Sequence, residues 1–149
     1  MTDFDGPGWL WSDVALLAVQ QIHGQCLGCL GAGAEIARVI KAVNSPALKA
    51  VWDPGNAFCA HEAPYPDGYE ACKDHIVHVH VKDAVREGDN VKFVRIGDGE
   101  IDYEGHFKAL KADGYAGYLS LETHFKPGGA AEEGSRLCLA ALNEMLTNL

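Results

Sequence analysis

The stretch I-V-H-V-H-V-K-D, residues 76–83, carries most of the information about the fold. Its apolar residues alternate in part with His78 and His80, and the run ends in Lys82 and Asp83. This pattern is typical of a buried strand that presents an imidazole and then charged groups at its C-terminal end. Parallel α/β sheets carry their functional groups at that end of their strands.

Two other short apolar runs also end in a carboxylate. The run L-K-A-V-W-D-P-G-N reaches Asp53, and G-Y-L-S-L-E-T-H reaches Glu122. Together with His80, these residues supply two hard oxygen ligands and an imidazole nitrogen, a set that suits a divalent ion. We therefore expect a metal site on Asp53, His80 and Glu122, with Mn, Mg, Co or Zn all compatible.

Strand and helix patterns alternate four times along the chain. Strands are predicted at residues 14–19, 48–52, 76–83 and 118–121, and helices at 34–43, 67–75, 103–111 and 130–146. This order predicts an α/β fold of parallel strands with right-handed crossovers. Residues 1–13 are expected to be an irregular lead-in, and residues 84–100 a long loop with a small hairpin at 91–94. The last helix is expected to bury Leu137, Ala140, Ala141 and Met145.

Composition limits the range of functions. With 149 residues and 48% hydrophobic content, residues 1–149 are expected to form a single domain. A net charge of -9 disfavours nucleic acid and acidic membranes as partners. No apolar run approaches the roughly 20 residues of a membrane span, and the start lacks a leader pattern. We therefore expect a cytoplasmic protein without a disulfide framework, and the lone pair Cys26 and Cys29 is only a weak zinc motif.

Several segments together resemble one known family, the xylose isomerase-like (β/α)8 barrels of the sugar phosphate isomerase/epimerase superfamily. The segments lie in the family's order within residues 34–125 and read A-E-I-A-R-V-I-K-A-V-N-S-P, V-W-D-P-G-N, H-V-H-V-K-D, I-G-D-G-E-I-D-Y and G-Y-x-G-Y-L-S-L-E. The resemblance is to the second half of the barrel. It implies that the four βα units correspond to half of a TIM barrel.

The resemblance also implies a ligand set of Glu, Asp, His and Glu at the ends of the fifth to eighth barrel strands. The last three match Asp53, His80 and Glu122. The first falls on Gln21, a weaker ligand because an amide oxygen carries no charge. In substrate binding, the resemblance implies a role for Arg86 and for Asn56.

Structural roles are also open for several of these residues. His78 is a substrate-binding candidate, although a histidine in an apolar strand is often a hydrogen-bonded core residue. For Lys82 and Asp83, pairing with each other or with solvent is as strong an expectation as a functional role. Arg86 lies in a charged segment, where a solvated side chain is common.

The resemblance implies a reaction in which a proton leaves the carbon beside a carbonyl, with Glu122 as general base. Epimerisation by two bases needs a second carboxylate on the opposite face of that carbon, and Gln21 cannot accept a proton. Isomerisation through Glu122 alone needs no second base. We therefore expect a metal-dependent isomerase or epimerase of a sugar or sugar phosphate. The alternative is a degenerate, non-catalytic half-barrel that binds a sugar or a partner subunit. Phosphodiester cleavage, as in endonuclease IV, is disfavoured by the acidic charge.

The length of the chain bears on its assembly. A full (β/α)8 barrel needs roughly 200 to 250 residues. An open sheet of four strands leaves two unpaired edges and an uncovered inner face. We therefore expect a homo-oligomer, or a complementary half supplied by another polypeptide.

Overall fold

The structure of the protein is a computed structural model that describes residues 31–149. The lead-in at residues 1–13, the predicted strand at 14–19, Gln21, Cys26 and Cys29 lie outside the described residues. Within the described part, the α-helices and strands follow one another along the chain as α1 (Gly33–Val43), β1 (Ala50–Trp52), α2 (Pro54–Cys59), α3 (Tyr69–Cys72), β2 (Ile76–Val81), β3 (Asp83–Glu87), β4 (Asn90–Val94), α4 (Tyr103–Ala112), β5 (Tyr118–Leu121) and α5 (Ala131–Thr147).

A parallel sheet with the strand order β1-β2-β5 forms the centre of the described part. His78 lies opposite Tyr118, and His80 lies opposite Ser120. Because side chains alternate between the faces of a strand, His78 and His80 share one face. Val79, on the opposite face, is fully buried. The fold is therefore a partial α/β barrel with a polar inner face and an apolar outer face beneath the helices, which confirms the predicted fold class.

The helices begin and end at residues suited to those positions. Asp53 caps α2 and is followed by Pro54, whose fixed φ angle and missing N–H suit the first helical position. Asp102 caps α4 by accepting a hydrogen bond from the N–H of Gly105 at 2.8 Å. Helix α1 ends at Asn44, which adopts a left-handed conformation and donates its N–H to the carbonyl of Ile40.

The segment between β2 and α4 contains more regular structure than predicted. A small hairpin was expected at residues 91–94, but β3 pairs with β4 along its whole length, from Asp83 opposite Val94 to Glu87 opposite Asn90. Gly88 at the turn has a φ of 64°, which a glycine adopts without strain. The polar composition hid this hairpin because its strands are short and only partly buried.

The core lies between the outer face of the sheet and the helices. Phe107 and Leu110 of α4 face it and are buried. The prediction for α5 was partly wrong, because Ala140 is exposed. The buried residues of α5 are Gly134, Cys138, Ala141 and Leu142. The buried stripe therefore overlaps the predicted one at Ala141, while Leu137 and Met145 are only half-buried. No helix among residues 31–149 is long and apolar enough to cross a membrane.

Candidate metal and catalytic site

Three strand ends bring Asp53, His80 and Glu122 together. Asp53 directly follows β1, His80 is the penultimate residue of β2, and Glu122 directly follows β5. Each offers one ligand atom, and these atoms all lie within 4.8 Å of one another. The parallel sheet produces this cluster because neighbouring strands end at the same edge.

Asp53 uses its two carboxylate oxygens differently. Oδ1 accepts a hydrogen bond from the main-chain N–H of Asn56 at 3.0 Å, which caps α2 and fixes the rotamer. Oδ2 faces the site and lies 3.8 Å from Nδ1 of His80. Burial raises the pKa of Asp53, and the positive charge of Lys82 offsets only part of this effect. A turn-forming role and a site role are thus combined in one side chain.

Glu122 is the more accessible carboxylate, with its side chain 32% exposed. Its main-chain N–H donates to the carbonyl of Val81 at 3.0 Å, and its Oε2 lies 3.3 Å from Nδ1 of His80. Burial acts to raise the pKa of Glu122, but the hydrogen bond and charge of Lys82 outweigh it and lower the pKa. Glu122 is therefore ionised at neutral pH, as a base must be.

Lys82 also belongs to the site, although the sequence left its role open between pairing and function. Its side chain is 1% exposed, and its Nζ lies 2.7 Å from Oδ2 of Asp53 and 2.8 Å from Oε2 of Glu122. Burial acts to lower the pKa of Lys82, but the two carboxylates raise it, so the group is a charged ammonium ion. The only sequence signal was its spacing, since Lys82 follows His80 by two residues and therefore shares its face of the strand.

Asp83 does not pair with Lys82, contrary to the structural alternative considered from the sequence. Its carboxylate accepts main-chain N–H groups from Ala84 at 2.9 Å, Gly97 at 2.9 Å and Gly99 at 3.1 Å. A Cβ atom at Gly99 would lie 2.0 Å from Oδ1 of Asp83, so only glycine fits there. Asp83 therefore holds the loop I-G-D-G against the end of the hairpin.

His78 lies one pleat before His80 on the same face. Its Nε2 is 2.7 Å from Oγ of Ser120, and its ring meets the ring of His80 edge to face at a centroid distance of 5.3 Å. Burial, followed by the nearby His80, lowers the pKa of His78. The His78 ring is thus held by Ser120 and packs against the His80 ring, which restricts the orientation of His80.

The two residues transferred from the family as substrate contacts make other contacts. The guanidinium group of Arg86 lies 4.5 Å above the ring of Phe58 and donates to the Phe58 carbonyl, which ties the hairpin to α2. Asn56 contacts Asp53 through its main-chain N–H.

A further aromatic pair lies near the cluster. The ring of His124 stacks on Phe93 of β4 at a centroid distance of 4.6 Å. Burial and then the charge of Lys82 lower the pKa of His124, with the carboxylates of Glu122 and Asp53 opposing. His124 follows Glu122 by two residues, which was the available sequence signal.

The donor set fits a divalent ion. Carboxylate oxygens and imidazole nitrogens both occur as ligands in Mn, Mg, Co and Zn sites, although the ratio of oxygen to nitrogen ligands differs between these metals. Their separations are short enough for one ion to reach all three ligand atoms. The site is therefore defined as a carboxylate and histidine cluster at the C-terminal edge of a partial barrel.

The family model described as xylose isomerase-like TIM barrel matches residues 15–142. The chain therefore belongs to the xylose isomerase-like TIM barrel family, as the motifs indicated. No curated protein matches the chain significantly.

Solved structures give the same fold. A xylose isomerase domain protein from Planctomyces limnophilus is 24% identical with a TM-score of 0.60, and the match covers 78% of this chain and 43% of that one. A D-tagatose 3-epimerase-like protein is 22% identical with a TM-score of 0.61, covering 78% and 41%. The probable 3-DHS dehydratase AsbF of petrobactin synthesis from Bacillus anthracis is 15% identical with a TM-score of 0.58, covering 76% and 44%. The chain thus spans less than half the length of these structures.

Proposed function

We propose that the chain is a metal-dependent isomerase or epimerase of a sugar or sugar phosphate, acting in the cytoplasm. The observation that carries this proposal is the approach of Asp53, His80 and Glu122 at one strand edge, within 4.8 Å of one another. Membership of the xylose isomerase-like family and the fold of a D-tagatose 3-epimerase-like protein support the substrate class.

Asp53, His80 and Glu122 would hold the ion. When bound, a divalent ion supplies a Lewis acid that stabilises negative charge developing on a carbonyl oxygen. His80 offers Nδ1 to the site, and its contact with His78 limits rotation of the ring. Such support from neighbouring side chains fixes the orientation of a ligand.

Glu122 would act as the general base at the carbon beside the carbonyl. Its ionised form and partial exposure allow it to reach a substrate that enters from the inner face of the sheet. If Glu122 both removes and returns the proton, the reaction is an isomerisation between aldose and ketose. Among residues 31–149, no third carboxylate joins Asp53 and Glu122 in the metal cluster to serve as a second base, which favours this route over epimerisation by two bases.

Arg86, Asn56 and His78 remain proposed substrate contacts. Each lies close in sequence or space to a residue of the cluster: Arg86 on the hairpin after β2, Asn56 at the start of α2, and His78 beside His80. A guanidinium group binds a phosphate or several hydroxyl groups. Arg86 would have to leave the carbonyl of Phe58 to do so.

The second candidate is a degenerate, non-catalytic half-barrel that binds a sugar or a partner subunit. The observation that favours it is Lys82, whose ammonium group lies against both carboxylates of the cluster. In this case the ion pairs of Lys82 with Asp53 and Glu122 would hold the strand ends together in place of a metal ion.

Either function benefits from completion of the barrel. The inner face carries polar or exposed side chains such as His78, His80 and Tyr118, the last being 81% exposed. We propose that a second copy, or a complementary half-barrel, covers this face. A single species of twice the chain mass in light scattering would support the homo-oligomer.

A metal titration tests the proposed function. Mn and Co are titrated by calorimetry into the wild type and into His80→Ala, with light scattering on the same samples. Stoichiometric binding by the wild type that is lost in His80→Ala supports the site, and turnover is then sought with ketoses and their phosphates. A folded wild type that binds neither ion contradicts the metal-dependent enzyme and favours the degenerate half-barrel.

A further inference from the structure

The ammonium group of Lys82 lies between the two carboxylates of the candidate metal site and contacts both. It is 2.7 Å from Oδ2 of Asp53 and donates a hydrogen bond to Oε2 of Glu122 at 2.8 Å. These are the same oxygens that face Nδ1 of His80. A metal ion bound to these atoms and the ammonium group would therefore draw on the same two oxygen atoms.

The surrounding structure is built around this lysine. The hydroxyl of Tyr103 accepts a hydrogen bond from the Lys82 N–H at 3.1 Å and donates one to the Lys82 carbonyl at 2.6 Å, which fixes the backbone. The aliphatic stem lies on Gly55, where a Cβ atom would be 2.5 Å from Cγ and 2.9 Å from Cε. The glycine in D-P-G thus leaves the space through which Lys82 reaches the carboxylates.

Charge balance gives this arrangement a consequence for metal binding. In their ionised forms, Asp53 and Glu122 carry two negative charges, and Lys82 neutralises one of them. An arriving divalent ion meets a cluster of net charge about -1 instead of -2, and it is repelled by the ammonium group a few ångströms away. Binding also requires the carboxylate oxygens to give up an ion pair in a buried position.

We propose that Lys82 is an internal cation that competes with the divalent ion for Asp53 and Glu122 and so lowers the metal affinity of the site. This inference rests on the proposed metal site. Lys82 is a positioning residue in this role: it holds the two carboxylates together before metal arrives and must withdraw as the ion binds. The site then responds to metal concentration instead of being permanently loaded.

Substitution of Lys82 provides the test. Mn is titrated by calorimetry into the wild type, Lys82→Met and Lys108→Met, after circular dichroism has shown that each is folded. Methionine keeps most of the stem and removes the charge. Lys108, on α4, is exposed and pairs with Glu104, so its substitution changes the net charge equally without touching the site. We expect Lys82→Met to bind Mn at least tenfold more tightly than the wild type, and Lys108→Met to match the wild type.

A second variant acts on Lys82 without removing its charge. In Gly55→Ala the new methyl group would occupy the path of the Lys82 stem. Alanine is otherwise well suited to this position in α2. We expect Mn affinity to rise in this variant as well, and Gly55→Ala carries the test if Lys82→Met does not fold.

The outcomes separate this inference from the proposed function. Tighter binding by the Lys82→Met variant supports the competition, including the case in which only the variant binds and the wild type does not. Equal or weaker binding by a folded Lys82→Met overturns the competition while leaving a metal-binding wild type intact. If neither the wild type nor any folded variant binds Mn, both the competition and the metal-dependent function are wrong.

Discussion

The indole N–H of Trp52 donates a hydrogen bond to Nε2 of His106 across 3.2 Å, which joins the end of β1 to α4 inside the core. His106 is 1% exposed, and it contacts the aromatic rings of Tyr69 and Phe107. Because Nε2 accepts, the proton of the neutral ring is on Nδ1. The imidazole is thus a core group whose charged form the surroundings disfavour.

Acid should destabilise the protein through His106. Burial lowers the pKa of His106 from 6.5 to about 4, with Asp102 opposing weakly. The unfolded chain therefore takes up this proton as the pH falls below about 6.5, whereas the folded chain does so only near pH 4. The contribution of neutral His106 to the free energy of unfolding is therefore fully present above pH 6.5. It decreases progressively as the pH falls to 4, by about 3 kcal/mol in total.

Urea unfolding at several values between pH 7 and pH 4 measures this loss. In His106→Gln the side chain cannot titrate but still offers an oxygen to Trp52. Its free energy of unfolding should therefore fall by about 3 kcal/mol less than that of the wild type over the same range. His75→Gln, at a half-buried position before β2, is the control and should follow the wild type. Parallel curves for His106→Gln and the wild type would contradict the assignment.

Asp83→Asn should destabilise the loop that follows the hairpin. The carboxylate of Asp83 accepts three main-chain N–H groups in a buried position, two of them at Oδ2. An amide has one acceptor oxygen and would turn an NH2 group toward at least one of these donors. We expect a loss of about 2 kcal/mol in the free energy of unfolding. The matched control is Asp89→Asn at the exposed turn of the hairpin, which should change stability by less than about 0.5 kcal/mol.

The approach of Asp53, His80 and Glu122 could be predicted from the sequence because it depends on two simple regularities. Parallel strands end at a common edge, and side chains alternate along each strand. Asp53, His80 and Glu122 follow from these rules without knowledge of the packing. Gln21, the fourth ligand that the family resemblance implies, lies outside the described residues. Its place in the site therefore stays a prediction.

The contacts of Lys82 and Arg86 could not be predicted in the same way. The strand period places Lys82 on the inner face, but only the packing against Gly55 brings its ammonium group to both carboxylates. The position of Arg86 over Phe58 depends on a hairpin whose two strands are only five residues long and mix polar with apolar residues. Long charged side chains can reach several partners, and sequence spacing does not select among them.

Glu122→Gln should abolish proton transfer while leaving the fold intact. Glutamine keeps an oxygen for Lys82 but cannot accept a proton, so we expect a decrease of at least about 100-fold in kcat. The measurement is the incorporation of solvent deuterium at the carbon beside the carbonyl of a turned-over ketose or ketose phosphate. Glu132→Gln on the exposed first turn of α5 is the control and should exchange at the wild-type rate. Exchange in Glu122→Gln at that same rate would remove Glu122 as the base.

Tyr103→Phe should weaken the attachment of α4 to the end of β2. The Tyr103 hydroxyl is fully buried and makes two hydrogen bonds to the backbone of Lys82, one as acceptor and one as donor. Phenylalanine fills the same space but leaves a buried N–H and a buried carbonyl without this partner, so we expect a loss of about 2 kcal/mol. The hydroxyl of Tyr115 donates to the carbonyl of Tyr118 at an exposed position, and Tyr115→Phe should cost less than about 1 kcal/mol.

Urea unfolding gives both free energies, and hydrogen exchange at the Lys82 amide gives a local measurement. We expect faster exchange at that amide in Tyr103→Phe but not in Tyr115→Phe. Equal protection in both variants would show that the Tyr103 hydroxyl does not hold the backbone of Lys82 in place.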